Sequence, residues 1–244
     1  PFCKYSYDEQ NMALRNASPS FDHWLGTDKM GRDIFVRILF GARISLAVGC
    51  LAAVINLIVG TIYGGIAGYV GGKVDMIMMR VVDIIYSVPS MLYIVLIMLI
   101  FGASVVSIML GISITCWIDM ARIVRQQVKS LKEQEFTMAA FVLGAGSSRI
   151  LLKHLLINTM GQIIVTVTLM VPQAIFTEAW LSFLGVGISA PMASWGTLAQ
   201  DARELIMTYP MQTVYPMIAI CITIFSFNFV GEGLEKALDP KRKR

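Results

Sequence analysis

Apolar residues run along this chain in blocks longer than a soluble helix needs, and the charges gather in short stretches between them. A helix crosses a bilayer with about 20 mostly apolar residues. Charge-free stretches at 44–72, 155–177 and 205–231 each supply one crossing, and in the last of these Pro210 and Pro216 place the start of the helix proper near Tyr215. A fourth stretch, 84–118, is too long for one crossing, and Phe101-Gly102-Ala103-Ser104 divides it. The pattern predicts an all-α membrane protein with five transmembrane helices at about 44–70, 79–101, 105–129, 155–180 and 214–234. A loop over 130–154 carries one further short helix. Residues 1–43 precede the first span, with Thr27, Asp28 and Asp33 as turn and N-cap types ahead of an amphipathic helix that leads into it.

Composition agrees. Of 244 residues, 56% are hydrophobic and 15% charged, against about 25% charged in an ordinary soluble domain, and the mean hydropathy is +0.69. Too few polar residues remain to cover a soluble surface. The net charge of +4 is spread over short inter-span stretches and forms no face that tracks phosphates, which argues against nucleic acid. Cys3, Cys50, Cys116 and Cys221 have no CxxC spacing and no neighbouring histidine, so they suggest neither a metal site nor a disulfide framework, and Cys50, Cys116 and Cys221 read as small packing residues. The chain begins with Pro1 and has no leading apolar signal, so a natural N-terminus further upstream is expected.

Basic residues favour the cytoplasmic side of a span. Arg122, Arg125, Lys129, Lys132, Arg149 and Lys153 place the 130–154 loop inside, and the same alternation puts Lys73, Arg80 and the basic tail over 237–244 inside and residues 1–43 outside.

Gly60, Gly64, Gly68 and Gly72 recur every fourth residue and line one helix face with hydrogen atoms, a surface for close helix packing or for sliding. Ionisable groups within spans are costly and are therefore functional candidates. Asp83 and Asp119 each have an arginine three positions away, Arg80 and Arg122, and local pairing is the favoured account of both. Glu178 has no such partner; Glu178 and Asp119 are the candidate substrate-pathway residues. Ala67 to Val74 imitates a phosphate loop, and Gly185 to Ala190 a dinucleotide fingerprint. The first lacks Gly at 67 and Ser or Thr at 74, and neither has the strand context the motif requires, so this chain is expected to bind no nucleotide. With only His23 and His154, on opposite sides of the membrane, a Ser/His or two-histidine metal site cannot be assembled, which argues against a membrane enzyme; a stand-alone channel is the other competing class.

The loop is the most informative stretch. Phe136, Ala139, Ala140 and Leu143 fall on one face of a short helix, before Gly144 and Gly146 allow a sharp turn. Such a helix lies on the lipid surface or docks in a partner's groove.

Ala139-Ala140, Gly144 and Leu156 resemble the EAA loop of binding-protein-dependent ABC importers, with Met138, His154 and Ile157 standing where that pattern has Glu, Ile and Pro. Glu135, Gly144-Ala145, Arg149 and His154-Leu155-Leu156 with Asn158 resemble its peptide and nickel branch. So do His23 to Asp28, Gly31-Arg32-Asp33, Gly41 to Leu46, Leu181 to Gly185, Ser194-Trp195-Gly196 and Gly231 to Pro240, in order along the chain. The resemblance implies a C-type permease subunit in a bacterial cell membrane, with six helices in the full chain. It implies a heterodimer with a homologous B-type permease, two ATPase subunits that bind ATP and Mg, and an extracytoplasmic solute-binding protein. The cargo expected is peptides, with nickel chelates or glutathione as alternatives in the same architecture. No catalytic, metal or cofactor residue is expected here. Glu135, Phe136, Ala139, Ala140, Leu143 and Gly144 would couple the chain to an ATPase, and segments 21–43 and 187–213 would meet the binding protein.

Overall fold

The computed structural model describes residues 4–188 and 192–238; Cys3, Ala190 and the tail beyond Leu238 lie outside them. The described residues form ten α-helices, no strand, and two π-helical turns. They divide into two compact units: unit 1 is Pro1–Cys50, Ile94–Leu110 and Val171–Ser226, and unit 2 is Leu51–Tyr93, Gly111–Met170 and Phe227–Arg244.

Helix α1 (Ile34–Ile55) starts ten residues before the predicted span because the Asp33 carboxylate accepts the Val36 N–H at 2.8 Å and caps it. Through a π turn at Asn56–Gly60 it continues into α2 (Thr61–Val70), making 37 helical residues without interruption. At 1.5 Å per residue that is roughly 56 Å, well beyond a hydrocarbon core of about 30 Å. The separate lead-in helix expected before residue 44 is therefore the overhanging start of the first span.

The second predicted span is not one helix. Helix α3 (Gly72–Ser87) and α4 (Ser90–Phe101) meet at an angle of 75°. Pro89 lacks an N–H and drives Val88 to extended dihedrals (φ −95°, ψ 126°), which ends α3. The break at Gly102 is as expected, and α5 (Val105–Lys132) comes after it. Next come α6 (Glu135–Val142), α7 (Ser147–Arg149) and a π turn at Ile150–Leu155 that leads into α8 (Leu156–Phe183). Then come α9 (Trp195–Arg203) and α10 (Pro210–Leu238). Helix α10 begins at Pro210, not near Tyr215, because proline fits the first helical position; Pro216 lies inside the helix. Among the described residues four helices are long and apolar enough to cross a membrane, five if the bent pair counts as one.

In unit 2, Met120, Val124 and Val128 repeat every fourth residue on α5 and pack with Ile150, Leu155 and Ile163. Ile150 and Leu155 are five apart and both buried, the spacing a π turn brings to one face. Gly60, Gly64 and Gly68 lie against α5. A Cβ on Gly68 would sit 2.7 Å from the Arg125 carbonyl oxygen, and one on Gly64 would overlap the backbone of Ala121. This is close helix packing. Gly72 departs from the series: at φ 55° it belongs with Gly71 to the turn between α2 and α3, and nothing lies within 4 Å of its Cβ position. In unit 1, Gly49 of α1 rests against Val171 and Ile175 of α8. Cys116 is half-buried as expected, but Cys50 and Cys221 are exposed on helix surfaces and pack in no core.

Candidate coupling surface and ionic clusters

Helix α6 is short because both ends are fixed locally. The Thr137 hydroxyl donates to the Leu131 carbonyl at 2.8 Å, drawing the start of α6 back onto the end of α5. At the other end Gly144 N–H bonds Phe141 O and Ala145 N–H bonds Ala140 O, each at 3.0 Å, with Gly144 at φ 81°. That pair of bonds is a Schellman stop, which needs a left-handed residue after the helix. A Cβ at Gly144 would meet nothing within 4 Å, so the demand for glycine is one of backbone conformation alone.

The predicted apolar face divides. Ala140 is buried together with Thr137, against its own chain, because the Thr137 tether turns that side inward. Phe136, Ala139 and Leu143 remain exposed, joined by Met138, Phe141 and Val142, and Leu143 is 86% exposed. Glu135 is exposed in the first turn, where an anion suits the helix dipole. A run of large uncovered apolar side chains thus sits on a helix stapled at both ends.

Behind it in unit 2 lies a clasp that local sequence patterns hid. Asp75, buried in the first turn of α3, receives the Arg125 guanidinium through two bonds, one of 2.6 Å to Oδ2, and Lys129 Nζ at 3.2 Å. Arg125 and Lys129 share a face of α5 at i,i+4, which was the available hint. One turn on, Lys132 Nζ donates to the Tyr69 carbonyl at 2.6 Å, satisfying an orphan acceptor at the end of α2. Local i,i+3 pairing fails for both predicted aspartates: Arg122 reaches across to Asp83 at 3.0 Å and stacks over Tyr86. Asp119 is exposed and makes no ion pair among the described residues.

Unit 1 contains a second ionic cluster. Asp28, Arg32 and Arg37 are all buried. Asp28 Oδ2 takes Arg32 Nε at 2.7 Å and Arg37 at 2.5 Å, and Asp201 of α9 accepts from both arginines at 3.2 Å. Burial opposes ionisation of Asp28, but the Arg37 charge, the Arg32 and Met30 backbone N–H groups and the Arg32 charge outweigh it and hold its pKa below the ordinary carboxylate range. His23 Nδ1 lies 2.7 Å from Asp33. Glu178, expected without a partner, is wholly buried and accepts hydrogen bonds from Ser45 and Ser182. Glu178 and Asp119, paired as pathway candidates, thus have opposite surroundings.

Long apolar helices with buried ionic clusters and one short helix of uncovered apolar side chains define a multi-pass membrane protein. Residues 60–244 match the family described as binding-protein-dependent transport system inner membrane component. The oligopeptide transport system permease protein OppC of Bacillus subtilis (strain 168) is 51% identical over 243 residues, covering 100% of this chain and 80% of that protein. The dipeptide transport system permease protein DppC of the same strain is 47% identical over 241 residues, covering 98% and 75%. Inward-facing crystal structures of the MetNI methionine ABC transporter share the fold, with a TM-score of 0.68 at 17% identity over 84% of this chain and 98% of that one. The chain belongs to the binding-protein-dependent transport inner membrane component family, among the permease subunits of the peptide ABC importer branch.

Proposed function

We propose that this chain is one of two membrane subunits of an importer of peptides, and that α6 is where it takes up the movement of an ATPase subunit. The similarity to oligopeptide and dipeptide permeases supports the cargo. The partners are a homologous B-type permease, two ATPase subunits that hold ATP and Mg, and an extracytoplasmic solute-binding protein. The basic residues of α5 and of the α6–α8 connection support a cytoplasmic loop, with residues 1–43 and 187–213 outside and facing the binding protein.

One observation carries the coupling reading: the apolar side chains of α6 are left uncovered while its ends are pinned. A helix pinned in this way transmits a rigid-body push. The clasp of Asp75 with Arg125 and Lys129 then ties the end of α5 to α3, so displacement of α6 is passed to whole helices and not absorbed by the loop. Glu135, Phe136, Ala139 and Leu143 make the contact, Ala140 holds α6 to its own chain, and Gly144 sets the direction.

The test is the assembled importer. Ala139→Asp and Leu143→Asp each put an unpaired charge into the apolar contact, where removing a charge from water costs several kcal/mol. The ATPase subunits should dissociate, or hydrolysis should lose its response to substrate. Gly144→Val leaves room but forces a β-branched residue left-handed, at a cost of about 1–2 kcal/mol; assembly should survive while transport falls. Ser147→Ala, beyond the stop, is the control. Unchanged association and unchanged substrate-stimulated hydrolysis in both Asp variants would leave α6 a membrane-surface helix and refute the coupling role.

A further inference from the structure

Three segments far apart in the chain converge in unit 1 on Glu178. They are Gly41 to Leu46 on α1, Leu181 to Gly185 at the end of α8, and Ser194 to Gly196 at the start of α9. Ser45 Oγ donates to Glu178 Oε2 at 3.0 Å, and Ser182 Oγ to Oε1 at 2.8 Å. Ser45 and the N-cap residue Ser194 are also acceptors. Ser45 Oγ takes the Trp195 N–H at 3.3 Å, and Ser194 Oγ takes the Thr197 N–H at 3.2 Å.

Among the described residues no lysine, arginine or histidine pairs with Glu178. What faces it is the start of α9. The Trp195 N–H of its first turn, which has no acceptor within the helix, reaches the carboxylate through the Ser45 hydroxyl. The positive end of the α9 dipole is thereby turned toward a buried carboxyl group. The fit is close: a Cβ on Gly196 would lie 2.6 Å from the Ala179 Cα, and one on Gly41 3.1 Å from the Ser194 carbonyl carbon. At its other end α9 is tied by Asp201 to Arg32 and Arg37.

We propose that Glu178 is a positioning residue that acts through α9. It fastens the start of that helix to α1 and α8, so that the solute-binding partner meets a fixed α9 and its arrival is felt by both long helices. This rests on the reading that residues 187–213 face the binding protein.

The whole importer, reconstituted with its binding protein, supplies two readouts. Hydrogen exchange reads the anchor: in Glu178→Gln, which keeps shape but replaces an acceptor-only group with one that must also donate, amides of the 194–203 segment should exchange about ten-fold faster. Amides of α10 should not change. Titration with binding protein reads the function: the concentration giving half-maximal ATP hydrolysis should rise about ten-fold while the saturating rate holds within about two-fold. Glu178→Asp, which keeps the charge, should restore much of both. Ser45→Ala, which breaks one relay and is mild enough to fold, should give a smaller shift in the same direction, and its effect should vanish in the Glu178→Gln background.

Unchanged exchange in Glu178→Gln overturns the anchor. Faster exchange with an unaltered titration overturns the role in meeting the partner. A wild-type importer whose hydrolysis answers to no binding protein would refute the proposed function, while the exchange experiment would still decide the anchor.

Discussion

The two ionic clusters hold charges of the same kinds in opposite settings. In unit 1, Asp28, Arg32 and Arg37 have side chains exposed by only 9%, 6% and 3%, and only Asp201 at the rim is open, at 33%. In unit 2, Asp75 is as deeply covered at 7%, but Arg125 and Lys129 stand 30% and 46% exposed. A buried pair cannot separate without leaving an unpaired charge in a poor solvent, so it fixes one geometry. A pair with one open flank separates at far less cost. The closed cluster therefore suits a segment that must keep its shape, residues 23–37 against α9. The open one suits the end of α5, which passes movement from α6 and must readjust as it does so.

Neutralising one partner in each setting tests that contrast. Asp28→Asn should do the most, destabilising the detergent-solubilised chain by about 3–5 kcal/mol because two buried arginines lose the more deeply buried of their two shared anions. Thermal unfolding monitored by tryptophan fluorescence would read it. The pKa of Asp28 is depressed, so its contribution is complete above the ordinary carboxylate pKa of about 3.9 and drains away as pH falls through the lower folded value. Asp28→Asn should remove this acid-side loss; if acid destabilisation persists unaltered in the variant, Asp28 is not its source.

Asp75→Asn should cost less, about 1.5–3 kcal/mol for charge-assisted bonds whose donors have another way out. Its sharper signature is transport, which should fall while the ATPase subunits stay bound. An Asp75→Asn effect on stability as large as that of Asp28→Asn would erase the distinction between closed and open clusters. Asp83→Asn should matter least. Its pair with Arg122 is exposed by 54% and 36%, and such pairs contribute about 0.2–1 kcal/mol. A small shift in melting temperature that vanishes in high salt is expected.

Local patterns revealed the helices and hid the contacts between them. The break at Gly102, the α5 span and the Gly144 stop are consequences of residues adjacent in sequence, as is the close face of Gly60, Gly64 and Gly68. Pro89 carries a breaker signal too, but it sits inside a charge-free run long enough to read as continuous. The start of α1 is misplaced because Arg37 and Arg43 read as the end of a membrane segment. The cost of the Arg37 charge is met by Asp28 and Asp201, and Asp201 lies 164 positions from Arg37. Glu178 looked solitary for the same reason, its Ser45 donor being 133 positions away. Of the coupling face, periodicity gave the right helix but not which side faces home, since the bond from Thr137 to Leu131 decides that.

The π turn at Asn56–Gly60 makes the length of this segment as important as its composition. It holds one residue more than an α turn would, and each residue added to an α-helix rotates the downstream side chains by about 100°. Deleting one residue from Asn56–Gly60 would restore a regular ladder upstream of Gly64 and Gly68. The same deletion would leave both glycines facing Ala121 and Arg125, because the π turn takes up its extra residue in about the rotation and rise of one α turn. A residue lost between Thr61 and Gly64, where no π turn absorbs it, would swing both glycines away and bring a neighbouring side chain into a gap with no room for a methyl group.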